Sequence, residues 1–150
     1  MLDARTILLL MAFTAVPTAL VLLVVSRFYA ASVRGVWHWT GANIALAVGL
    51  LLLGLSASAN NLPARVGGNT LLVMTAALYY LALQRLLGDK PSTRLAWSTV
   101  AAAGSVFFLM WASAAPYALA VATLSIALTL LTGLSAARLL LPLSAAKPVS

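Results

Sequence analysis

Side chains able to do chemistry are scarce in this chain, and their spacing decides what stays open. There are no cysteines, which removes disulfides, thiolate nucleophiles and cysteine-based metal sites together. Asp3 and Asp89 are the two acids and His38 the one histidine. No nucleophile–base pair, phosphate loop or carboxylate pair can be read from them. The sequence therefore argues against an enzyme, and against a metal or other cofactor. His38 lies between Trp37 and Trp39, where a lone histidine reads as an interfacial residue; ligation of a haem by this one side chain is the minor alternative. The most suggestive polar pattern is a helical line of Asn69, Ala76, Tyr80 and Gln84, with Tyr79 beside it and Asn43 on a preceding segment. Polar groups inside an apolar segment face protein or a cavity. Two readings stay open for Asn69, Tyr79, Tyr80, Gln84 and Asn43: hydrogen bonds between helices, or a pocket for a small ligand.

What must position these residues follows from composition. Hydrophobic residues make up 63% of the chain and charged ones 7%, against roughly 45–50% and 25% in soluble domains. A chain of 150 residues cannot hide that much apolar surface from water, so lipid has to solvate it. Crossing a hydrocarbon core takes about 20 apolar residues. Five stretches meet that length, at about 6–26, 37–57, 69–87, 95–114 and 117–139. None holds an acid, and Arg85 lies within a turn of its helix end. Unsatisfied backbone in lipid is too costly for open strands, so the segments must be helices. The expected fold is all-α, an integral membrane bundle of five transmembrane helices over 1–141. A short tail or linker follows at 142–150. The first stretch is longer than a signal-peptide core, which runs about 7–15 residues, and reads as a span, with a cleaved signal peptide as the minor alternative.

Counting Lys and Arg gap by gap orients the bundle. Arg27, Arg34, Arg85, Lys90, Arg94, Arg138 and Lys147 fall on one side, Arg5 and Arg65 on the other. The expectation is therefore an N-terminus outside and a C-terminus in the cytoplasm. Basic residues spaced singly suit anionic headgroups better than nucleic acid, and the formal charge of +7 is read that way. Trp37, Trp39, Trp97 and Trp111 fall near span ends, as interfacial anchors do. The segment from Asn60 to Arg65 reads as an outer turn, and 114–116 as a tight outer hairpin.

Small residues supply the packing signals. Gly41, Ala45 and Gly49 repeat every fourth position in the second span, and Asn43, Ala47 and Gly54 form a neighbouring stripe. Such residues let helices approach closely where no hydrophobic effect joins them. Ala118, Ala122, Ser125, Thr129, Thr132 and Ala136 form a weakly polar seam on the fifth span; packing within the chain and a homodimer contact both fit it. Pro17 interrupts the first span, with Thr14 and Thr18 placed to bond a freed carbonyl.

Some of these patterns resemble the membrane regions of bacterial diguanylate cyclases. The opening Leu2-Asp3-Ala4-Arg5-Thr6 leads straight into an apolar span, and Trp39 leads into a helix with Gly49 and Leu53. Asn61-Leu62-Pro63 through Asn69, and a helix closing Leu81-Ala82-Leu83-Gln84-Arg85-Leu86-Leu87-Gly88, are similar to that family's second loop and third helix. The resemblance covers roughly residues 2–90. It implies a non-catalytic sensor or anchor in the bacterial inner membrane, joined to a cytoplasmic output domain that makes cyclic di-GMP and works as a dimer. The cyclase signature itself is absent from this chain. A small transporter or channel subunit, or an assembly subunit of a membrane complex, is the alternative.

Overall fold

The computed structural model describes residues 3–29, 34–56, 61–113 and 117–140, and every regular element among them is a helix. They are α1 (Ala4–Tyr29), α2 (Val36–Ser56), α3 (Leu62–Leu86), α4 (Thr93–Ala112) and α5 (Tyr117–Leu140). Each is long and apolar enough to cross a bilayer. Even α4, the shortest at 20 residues, reaches about 30 Å at 1.5 Å per residue, which matches a hydrocarbon core. The outward faces carry large apolar side chains, among them Phe13, Leu20, Val21, Phe108, Leu109 and Ile126. Continuous apolar surface on this scale is out of place in water and at home in lipid. The hairpin expected at 114–116 and the tail at 142–150 lie outside the described residues.

The helices run up and down in chain order. Thr40, near the start of α2, donates its hydroxyl to the carbonyl of Leu22, near the end of α1, at 3.1 Å. Contacts then follow a simple chain: α1 against α2, α2 against α3, and α3 against both α4 and α5, which also touch each other. Among the described residues α1 makes no close backbone approach to α3, α4 or α5. The bundle therefore has α2 and α3 as its spine, with α1 on one flank and α4–α5 on the other. One end collects Arg27, Arg34, Arg85, Lys90 and Arg94, and is called the basic end below. Arg5 and Arg65 are at the far end.

Glycines make the spine close. A Cβ on Gly49 would sit 3.2 Å from the carbonyl oxygen of Gly68 and 3.2 Å from Cβ of Leu71. A Cβ on Gly68 would sit 3.0 Å from the Gly49 carbonyl and 2.7 Å from Leu53. Gly41 also faces α3, at Leu78, whereas Gly54 faces α1, at Leu9. The glycines of α2 thus serve two different neighbours. At the basic end Gly35 has φ +90°, and a Cβ there would lie 2.6 Å from the Ala82 carbonyl oxygen. Left-handed backbone and contact with another helix together leave room for glycine alone. On the α4–α5 flank, Val73, Ala77, Tyr80 and Leu81 of α3 meet Ala96, Val100, Ala103 and Phe107 of α4, and Ala127 and Leu131 of α5.

Three expectations differ from the structure. Of the turn expected over Asn60–Arg65, Asn60 lies outside the described residues and the rest starts α3: Asn61 caps the helix, its Oδ1 accepting from the Ala64 N–H at 3.4 Å, and Pro63 occupies the first turn. Proline fits there because its missing N–H would have no helical partner. The span expected from Asn69 belongs to a helix that begins at Leu62 and carries Gly67 and Gly68 inside it, with Gly68 in the crossing against Gly49 and Leu53. Thr14 and Thr18 donate to the carbonyls of Met11 and Thr14; neither reaches Phe13, whose carbonyl Pro17 leaves without its helical donor. Finally, the seam of α5 does not pack within the chain. Ala118, Ala122, Ser125, Thr129, Thr132 and Ala136 are all exposed, on the side away from Ala127 and Leu131.

The glycine spine makes a direct prediction. Gly68→Leu should cost about 1–3 kcal/mol through overpacking, seen as a lower midpoint of thermal unfolding in detergent. Gly133→Ala adds a Cβ that meets nothing within 4 Å and should leave the midpoint unchanged or raise it. Equal shifts from both variants would contradict a tight crossing.

Candidate functional site

The polar line of α3 does not converge on one pocket. Asn69 and Gln84 are 15 residues apart, about 22 Å of helical rise. Tyr80 is buried in the apolar contact of α3 with α4 and α5. Gln84 is buried as well, and its Oε1 accepts from the backbone N–H of Ser92 at 2.7 Å. Ser92 is the residue that opens α4, and its own side chain makes no capping bond. Gln84 therefore ties the end of α3 to the start of α4. Asn43 donates to the Trp39 carbonyl at 2.9 Å, and the Tyr79 hydroxyl faces the Asn43 amide across the α2–α3 contact. Of the five, only Asn69 lines a cavity described below.

One cavity, of about 340 Å³, opens at the basic end between the start of α2 and the end of α3. Arg34, Gly35, Trp37, His38, Arg85, Gly88 and Asp89 line it. Gly88 has φ +79° and turns the chain out of α3, while Gly35 brings Arg34 and His38 against it. Nδ1 of His38 is buried with no hydrogen-bond partner, and Arg85 acts on this ring electrostatically. Two guanidinium groups and one carboxylate around an imidazole can hold a polar headgroup. Among the described residues no three His, Cys, Asp or Glu side chains come together to hold a metal ion.

A larger cavity, of about 480 Å³, lies at the far end. Every helix contributes to it: Arg5 and Leu8 from α1, Leu53 and Ser56 from α2, Arg65, Val66, Asn69 and Leu72 from α3, Phe107, Met110 and Trp111 from α4, and Ala120 and Leu124 from α5. This size falls in the usual range of ligand sites, and an apolar lining with a few polar groups is typical of them. Arg5 and Arg65 are its two charges, and the lining holds no acid. Asp3 stands two residues before Arg5 and outside the lining. The cavity exists because α1 and the α4–α5 pair flank the spine without meeting.

The four tryptophans are all substantially exposed. Trp37 and Trp39 open α2 and Trp97 stands early in α4, all at the basic end; Trp111 stands at the far end of α4 and lines the larger cavity. Sequence reasoning missed the larger cavity because it used Arg5 and Arg65 only to orient the chain. The available signal was that both begin helices at the same end, with Ser56 closing the helix between them. No protein-family model, curated protein or solved structure matches this chain.

Gln84→Leu should leave the Ser92 N–H without its acceptor at a cost of about 1–3 kcal/mol. Protease cleavage of the α3–α4 connection at Lys90, in detergent, should then become faster than in the parent. Unchanged cleavage and an unchanged unfolding midpoint would mean that the bond is dispensable.

Proposed function

We propose that this chain is a non-catalytic, multi-pass sensor or anchor module of a cyclic di-GMP signalling protein in the bacterial inner membrane. Its N-terminus lies outside, its C-terminus in the cytoplasm, and a change in helix packing passes to a cyclase output domain. The observation that carries this reading is the outward face of α5. Bulky aliphatic side chains are the usual partners of lipid tails, whereas Ala, Ser and Thr are the residues of helix–helix contacts. Six of them face outward on the helix that runs back to the basic end. A second copy meeting this face would bring two output domains together. The resemblance of residues 2–90 to diguanylate cyclase membrane regions and the side with seven of the nine basic residues support the rest.

The absence of native cysteine makes the test clean. Single variants Ser125→Cys and Thr129→Cys should form disulfide-linked dimers in membranes, and Phe13→Cys on the outer face of α1 should not. Alkaline phosphatase fused after Lys147 should be inactive. A bare cyclase domain joined after Ser150 should give cyclic di-GMP output that falls when Ser125→Leu is introduced. An active phosphatase fusion contradicts the orientation; an output indifferent to α5 contradicts the signalling role.

A further inference from the structure

We propose that the far-end cavity is a binding site for an anionic phospholipid of the surrounding bilayer. The lipid phosphate sits at the mouth between Arg5 and Arg65, and an acyl chain lies along the apolar wall of Leu8, Leu53, Leu72 and Leu124. This inference goes beyond the signalling proposal and does not depend on it, since a transporter or assembly subunit could hold the same lipid.

Three observations converge on this occupant. First, the two cations of the lining have no acid among its residues, so the lining itself carries net positive charge. The N-termini of α1, α3 and α5 lie at this end together with the C-termini of α2 and α4, so the helix dipoles largely offset and the two arginines carry the field. Second, most of the lining is apolar. A bare inorganic anion would leave that wall unfilled, whereas an amphiphile satisfies both parts. Third, α1 makes no close backbone approach to α4 or α5, so the cleft between the flanks gives a chain a lateral way in from the hydrocarbon. Asn69 adds an amide to the same lining, whereas the Ser56 hydroxyl is committed to the Leu53 carbonyl, and Trp111 offers an aromatic ring at the level where headgroups lie. Arginine suits the role because its planar donors match phosphate oxygens in pairs.

The test uses the full chain, purified in mixed micelles of phosphatidylglycerol and phosphatidylcholine, with retained lipid read by native mass spectrometry. The parent should keep about one phosphatidylglycerol in preference to phosphatidylcholine. Arg5→Gln together with Arg65→Gln should lower that preference by about tenfold. Leu8→Trp and Ala120→Phe, which fill the cleft and leave both arginines, should each release the lipid. Two fillers from opposite walls guard against one variant failing to fold. Equal retention of the two lipids in the parent would overturn the proposal. So would retention unaffected by both fillers, because the arginines would then act only on surrounding lipid. Displacement of the lipid by millimolar inorganic phosphate would show a free-anion site instead and would overturn it equally.

Discussion

The approach of α2 to α3 at Gly49 and Gly68 is the constraint from which the rest of the structure follows. In lipid there is no hydrophobic effect to press helices together, so contact depends on packing and on polar groups. Two glycines set against each other bring the backbones close enough for each to meet the other's carbonyl oxygen. With that pair fixed, α1 is held to α2 by Gly54 and by the Thr40 hydroxyl, and α4 and α5 are held to α3 by an apolar core. Neither flank reaches the other, and the space between them at the far end is the larger cavity.

Polar side chains are few and mostly committed to this architecture. Thr40, Asn43 and Gln84 are buried, and each hydrogen-bonds to backbone. The charged groups that line cavities are confined to the ends: Arg34, Arg85 and Asp89 at one, Arg5 and Arg65 at the other. The two charged cavity linings therefore lie at opposite ends of the bundle, joined by the helix contacts of the spine.

The number of helices, their type and their alternation were legible in the residues, because span length and apolar composition leave backbone in lipid few alternatives. The start of α3 was not: the span was expected from Asn69, and only the partner helix explains why glycine is needed at position 68. Asn61 and Pro63 did carry a helix-start signal, outweighed by the loop-like composition around them. The role of Gln84 was hidden because its partner is a backbone N–H eight residues on, which no periodicity reveals. The α5 seam could be seen as a stripe, but its direction depends on which side of α5 meets α3. The far-end cavity was only partly legible for a related reason: the placing of Arg5 and Arg65 at one end could be read, but its lining draws on all five helices.

The most direct test of the spine is a disulfide across it. Gly49→Cys combined with Leu71→Cys places two thiols on a chain that has no other cysteine, where a Cβ added at Gly49 would lie 3.2 Å from that of Leu71. Disulfides need about 3.5–4.5 Å, so a small adjustment suffices. The account predicts a bond within the chain on mild oxidation in native membranes, with each single variant remaining reduced within the monomer. A double variant that stays reduced, or that links only between chains, would contradict it.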